Sequence, residues 1–243
     1  MFFCRYMKMK RAFFSILFFA AIGSSPLMAQ KTTELGILLG RSYYLGELNP
    51  STHFGRETGS FNYGIAFRYN LNKRYSLKAT LAQTELKAAD ENIDFLFNEA
   101  RNASFTNLVR DFAANIEFNF LPYAIGDKKH SFSPYLFVGF NIYRSKPKTL
   151  INGNEVIGET VDKTINMAYS FGPGVKLNVG RKVSLSFEWG FRKTANDYID
   201  GLPNRRNEIF EMGKEYNNDW FVSSNFMLTY RLTNLGPCPV YNF

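Results

Sequence analysis

Val183-Ser184-Leu185-Ser186-Phe187-Glu188-Trp189-Gly190-Phe191-Arg192 alternates without a break between large apolar residues and small or polar ones. A period of two is the mark of a β-strand with one oily and one wet face. The oily set (Val183, Leu185, Phe187, Trp189, Phe191) carries no charge, whereas the wet set carries Glu188 and Arg192. The same rhythm returns on both sides of this stretch and decides the fold class: an all-β, antiparallel, up-and-down transmembrane barrel of about eight strands.

Working outward, the preceding strand runs from about Ala168 to Val179, with Tyr169, Phe171, Val175 and Leu177 on its oily face, and Gly180-Arg181 forms the tight turn between. On the other side, a long connection from about Lys193 to Asn218 leads to a last strand whose Trp220, Val222, Phe226, Leu228 and Tyr230 share a face. Towards the N-terminus, strands are predicted near Glu34 to Leu45, Phe61 to Tyr69, Tyr75 to Leu86, Thr106 to Leu121 and Pro134 to Tyr143. The parity of Pro134 to Tyr143 is open, because Leu136, Phe137, Val138 and Phe140 are all apolar. Short turns are predicted at Leu71 to Arg74 and Gly126 to Ser131. Long connections are predicted at about Lys87 to Ser104 and Arg144 to Lys163, with short helical turns at Asp90 to Asn102 and Arg206 to Tyr216. Alternation of long and short connections is the asymmetry of outer-membrane barrels, whose short turns are periplasmic and long loops external. Both termini are then periplasmic.

Residues 1–29 read as a signal peptide. Arg5, Lys8, Lys10 and Arg11 form a basic region, Ala12 to Ile22 an apolar one too short to cross a bilayer, and Leu27-Met28-Ala29 a cleavage site. Met1 or Met7 would serve as the start. Residues 30–232 form the barrel and residues 233–243 a periplasmic tail. The leader takes away four basic residues and no acidic one, so the formal charge falls from +8 to +4. That scattered excess gives no reason to expect nucleic acid as a partner. A mean hydropathy of −0.23 suits strands that average an oily and a polar face, and 25 Phe and 14 Tyr suit a lipid-facing band with aromatic girdles.

Charge parity fixes which face is outside. Arg68, Lys78, Lys176 and Arg192 all fall on the wet face. A basic side chain turned to lipid costs ~2–4 kcal/mol at mid-bilayer. Four would cost roughly 8–16 kcal/mol as an upper bound, comparable to the stability of a whole fold. Asp111, Glu117 and Glu188 share the interior parity and are expected to pair with those cations. Arg231 completes the expected interior charges. At this strand number side chains fill the lumen, so the set is read as a structural plug.

Signals for chemistry are sparse. His53 lies in the first external loop and His130 in a short turn at the other end, so they cannot share a site. His53 near Ser51 and Ser60 lacks a nucleophile elbow. There is no HExxH, CxxC or Walker motif. Gly172-Pro173-Gly174 sits inside a strand, where glycine marks a bend or bulge. Asp197 and Asp200 alone make a poor calcium site. No catalytic residue, metal or cofactor is assigned. In the tail, Pro237 and Pro239 hold Cys238 extended, with Tyr241 close behind. Cys238 is the one cysteine left after the leader carrying Cys4 departs, so it is free for an intermolecular disulfide in an oxidising compartment. The tail is read as a docking segment for a periplasmic partner; a frayed end with an idle thiol is the other reading.

Several runs resemble a family of Bacteroidota outer-membrane barrels, the PorG-like family of the type IX secretion system. Glu34-Leu35-Gly36, Gly40, Tyr43-Tyr44 and Gly46 are similar to its opening strand, and Phe132, Pro134-Tyr135, Phe137 and Gly139 to its central strand. Glu188-Trp189-Gly190, Arg192-Lys193-Thr194 and Asp197-Tyr198-Ile199-Asp200 resemble its most distinctive run. Asn217-Asn218-Asp219-Trp220 and Thr229-Tyr230-Arg231 resemble its last strand. The resemblance implies a non-enzymatic, outer-membrane component that binds a periplasmic ring resembling PorK and PorN, while cargo crosses through a different barrel. Outer-membrane lipids are the other partner. A stand-alone barrel for adhesion or envelope integrity and a lipid-modifying barrel enzyme remain as alternatives.

Overall fold

The computed structural model describes residues 31–46, 59–90, 102–156, 165–195, 199, 206–207, 210–211 and 219–233. The leader boundary, His53, Asp197, Asp200 and the tail carrying Pro237, Cys238, Pro239 and Tyr241 lie outside the described residues. The wall consists of β1 (Thr32–Leu45), β2 (Ser60–Asn70), β3 (Tyr75–Ala89), β4 (Ala103–Asn119), β5 (Phe132–Arg144), β8 (Asn166–Asn178), β9 (Val183–Thr194) and β12 (Trp220–Arg231). Between these lie a hairpin, β6 (Pro147–Ile151) and β7 (Asn154–Val156), and a small ribbon, β10 (Arg206–Asn207) with β11 (Phe210–Glu211).

Each wall strand pairs antiparallel with the next, and β1 pairs with β12 from Glu34↔Arg231 to Leu45↔Trp220, so the eight-strand sheet closes without an edge. Closure satisfies the backbone N–H and C=O groups that hydrocarbon could not. Alternation holds along most of the wall and breaks at the long-loop ends of β1 and β12, where Ser42 to Tyr44 and Phe221 to Ser223 are all buried. In β8, Met167, Tyr169, Phe171, Val175 and Leu177 are exposed, while Asn166, Ala168, Ser170, Gly172, Gly174 and Lys176 are buried. In β9, Ser184, Ser186, Glu188, Gly190 and Arg192 are buried and the oily set faces out. Exposed Ile37, Ile65, Leu81, Ile116, Val138 and Phe226 continue an apolar belt around the wall.

The strand ends that flank the four longer connections (45 and 60, 89 and 103, 144 and 166, 194 and 220) lie at one end of the barrel, and 71–74, 120–131 and 179–182 lie at the other. Several expectations change in detail. The stretch 144–163 is not a plain connection: β6 pairs with the rising end of β4, Ala103↔Ile151 to Asn107↔Pro147, and turns back into β7. Within 206–216, the described residues form the β10–β11 ribbon instead of helical turns. Val222 has the parity of its oily neighbours but is buried, aligned between Tyr43 and Phe191.

The Gly172-Pro173-Gly174 run introduces no bulge. Pairing of β8 with β9 keeps one register from Phe171↔Phe191 to Gly174↔Glu188, and pairing with β5 is continuous. The glycines make room instead. The parity of β5 resolves with Tyr135, Phe137, Asn141 and Tyr143 inward. A Cβ on Gly174 would sit 2.5 Å from the Tyr135 ring, and one on Gly190 would sit 3.2 Å from that of Phe137. Two bulky rings enter a narrow lumen because two neighbouring strands omit side chains there.

Candidate functional site: the sealed interior and the two ends

The interior parity places four cations and four carboxylates in the barrel, each with a counter-ion. Glu117 on β4 is the hub: its carboxylate lies 2.9 Å from Arg68 Nε, 3.3 Å from Lys78 Nζ and 2.6 Å from Lys176 Nζ. Arg68 Nη1 donates to Glu34 at 2.8 Å, and Lys78 reaches Glu188 as well. Glu34 also accepts from Asn70 Nδ2 at 2.6 Å and from Thr229 Oγ1 at 2.9 Å. The Tyr135 hydroxyl donates to Glu188, and its ring lies 4.4 Å from Lys176 Nζ. Further along the axis, Arg192 Nε is 3.7 Å from Asp111, which accepts from Asn141 Nδ2 at 2.7 Å.

Glu34, Arg68, Lys78, Glu117, Tyr135, Lys176, Glu188 and Thr229 come one from each of the eight wall strands. The network therefore laces the whole circumference, including the β1–β12 seam. Ions taken out of water must be paired and hydrogen-bonded to survive, and removal of one partner of such a pair costs about 3–5 kcal/mol.

Glu34 was missed by sequence reasoning because it opens the first strand, where alternation is just beginning; its parity with Leu38 and the polar run opposite was the available signal. Arg231 stands apart from the ion pairs. It sits half-buried at the rim, and its Nη1 donates to the Ile125 carbonyl at 2.6 Å.

That contact belongs to a closure of the short-turn end. In the 120–131 connection, Tyr123 and Ile125 are buried, the Tyr123 hydroxyl meets Ser184, and the Tyr123 N–H donates to the Lys73 carbonyl at 2.9 Å. Asp127 and His130 lie outside on the same connection, His130 Nδ1 within 2.5 Å of the Asp127 carboxylate. The hydrogen bond to His130, then the Lys129 backbone N–H, holds the Asp127 carboxyl below its ordinary value.

The long-loop end is closed differently. Tyr44, Leu86, Phe105, Val109, Tyr143 and Phe221 form an apolar cluster inside the barrel, joined by Ile199 from the 195–219 connection. Tyr44 and Phe105 meet edge to face at 4.8 Å, and the Tyr44 hydroxyl donates to Asp219 at 2.6 Å. Asn107 links Ile199 to the β5–β6 connection: its Nδ2 donates to the Ile199 carbonyl at 2.6 Å, and its Oδ1 accepts from the Lys146 N–H at 3.0 Å. Apolar residues on both parities of β4 (Phe105, Leu108, Val109) were the sequence signal that this strand continues past the bilayer into a second small core.

Among the described residues, no three His, Cys, Asp or Glu side chains converge as metal ligands.

The chain is similar to Neisserial surface protein A, with 13% identity, a TM-score of 0.46, and coverage of 82% of this chain and 96% of that one. It is similar to OprG from Pseudomonas aeruginosa (10%, 0.40, 85% and 97%) and to the outer membrane enzyme PagL (13%, 0.40, 81% and 98%). No curated protein sequence matches. Residues 10–242 match the family described as a domain of unknown function, DUF6089, and the chain belongs to that family.

Proposed function

We propose that this protein is a non-enzymatic outer-membrane barrel that anchors or docks the periplasmic lipoprotein ring of a type IX secretion machine. The observation that carries the proposal is the closed interior: a layer of ion pairs toward the short-turn end, an apolar core with Ile199 at the long-loop end, and Tyr123 with Ile125 at the short-turn mouth. A barrel filled in this way offers cargo no path, so its work falls to its ends and outer wall. The resemblance of its Glu34 to Gly46, Glu188 to Asp200 and Asn217 to Arg231 stretches to the PorG-like family supplies the machine. In this reading the short turns and both termini are periplasmic, and the tail with Pro237, Cys238, Pro239 and Tyr241 docks ring components resembling PorK and PorN. A mixed disulfide through Cys238 is one form of that docking.

Cross-linking in intact membranes, followed by pull-down and mass spectrometry, tests the proposal. Recovery of a periplasmic lipoprotein with the barrel, and loss of secretion on deletion, are expected. Recovery of the barrel alone with secretion intact overturns it. Non-reducing electrophoresis of native protein and Cys238→Ser tests the covalent form, which fails if no adduct distinguishes them. A second reading, a stand-alone barrel for adhesion or envelope integrity, draws on the built-up long-loop end, where the β6–β7 hairpin extends the β3–β4 sheet. It expects normal secretion and altered surface binding on deletion.

A further inference from the structure

Two arginines face outward side by side just beyond the apolar belt. Arg110 on β4 and Arg144 on β5 are register partners, both exposed, and the next residues on their face toward the short-turn end are Phe112 and Ile142. Arg110 Nε donates to Gln83 Oε1 at 3.0 Å, and Gln83 Nε2 donates to the Tyr63 hydroxyl at 2.5 Å. Among the described residues neither guanidinium has a carboxylate partner. Glu85 is the acidic group on the same face of β3, one pair step further along, opposite Leu108 rather than either arginine. Lys87 and Lys148, both aligned with Thr106, add positive charge above the pair. Like charges directly opposite across two strands are destabilising. Here the described chain offers Arg110 the neutral Gln83 and gives neither arginine an ion pair.

Height fixes what could. From Phe118 to Arg110 along β4 is eight residues. At a rise of ~3.4 Å and a strand tilt of ~40° that spans about 20 Å along the membrane normal, near the ~25 Å of an apolar band. The arginines therefore lie at the hydrocarbon–headgroup boundary. Below and beside them the outer wall bears an open apolar depression, lined by Leu39, Ile65, Leu81, Phe112 and Ile142, with Ile165 level with Arg144 and both arginines at its margin.

We propose that this face of β3–β5 is a binding site for a phosphorylated lipid. Its phosphate is held between Arg110 and Arg144, and its acyl chains lie in the depression. Two planar guanidiniums suit a phosphate, which accepts paired charge-assisted hydrogen bonds and cancels the repulsion between them. Gln83 holds the Arg110 side chain in place. The proposal rests on the membrane reading above; with the long loops outside, the lipid is the phosphorylated glycolipid of the outer leaflet.

The test uses full-length protein extracted from membranes and equilibrated with bisphosphorylated lipid A, dephosphorylated lipid A or phosphatidylethanolamine. Retained lipid is read by native mass spectrometry. Wild type should retain bisphosphorylated lipid A in preference to the other two. Arg110→Gln with Arg144→Gln should lower that retention by about tenfold or more, the scale of one or two lost charged hydrogen bonds. Arg110→Lys with Arg144→Lys should keep part of it. Lys193→Gln, at a similar height on β9 away from the pair, should leave it unchanged. A heat-modifiable electrophoretic band reports that each variant is folded. A folded double Gln variant that retains lipid A like wild type overturns the site, as does an equal loss from Lys193→Gln or no preference for phosphate. Recovery of the protein in aqueous extract instead of membranes would sink the membrane reading, a separate failure.

Discussion

Glu117 shows how parity in a sequence becomes energy in a structure. Its carboxylate balances three cations from β2, β3 and β8, so neutralising it leaves Arg68, Lys78 and Lys176 with one fewer counter-charge in a closed lumen. Glu117→Gln is expected to lower stability by about 3–5 kcal/mol, measured by urea unfolding of the barrel in micelles. Loss from Arg192→Gln should be smaller, because its contact to Asp111 is longer, at 3.7 Å, and involves one carboxylate. Asp127 gives the pH counterpart outside the membrane span. A carboxyl held below its ordinary value in the folded state contributes stability above its unfolded pKa, lost as pH falls through the folded one. The Asp127 carboxyl should therefore titrate below the usual aspartate range by NMR. Asp127→Asn should remove that acid-side loss of order in the 120–131 connection. Seven of the eight paired charges were legible from alternation alone, since the wet face of each strand names them. Which cation meets which carboxylate was not legible, because that depends on the stagger between strands far apart in sequence, such as Lys78 and Glu188.

At the scale of elements, β5, β8 and β9 form one interlocked unit. Tyr135 and Phe137 point inward only because Gly174 and Gly190 leave space beside them. The sequence of β5 alone could not set its parity, since apolar residues fall on both of its faces. The answer lay in the glycines of two other strands, a relation visible only once register pairs them. Gly174→Ala should cost about 1–3 kcal/mol by overpacking. A compensating Tyr135→Ser should recover part of that loss, making the double change less harmful than the sum of the singles, measured in the same unfolding assay. Equal and additive losses would mean the ring and the glycine do not share that space. The β6–β7 hairpin was hidden for a different reason. Its strands are short, and β6 is held by pairing to the overhanging end of β4 rather than by an oily stripe of its own.

For the whole molecule, the eight-strand closure and the direction of its faces follow from period-two alternation, while the sealing of both ends follows from residues in connections that alternation says nothing about. Tyr123 and Ile199 carry no repeating pattern, yet each is buried at an opposite mouth of the same lumen. Together with the ion pairs between them, which lie nearer the short-turn end, they put three barriers in series along the axis. One barrier can be loosened without opening a path, so the purified barrel in a planar bilayer should show no large, steady conductance. Tyr123→Ala, which empties only the short-turn mouth, should behave the same way. Removing the hub as well is the sharper case. Tyr123→Ala with Glu117→Gln still leaves the apolar cluster around Phe105 and Phe221 closed, because water gains little by entering a space lined with such rings. Steady openings in that double variant, with the barrel still folded by its heat-modifiable band, would place the governing barrier at the ion-pair layer. The long-loop core would then be a brace for the strands that rise above the bilayer.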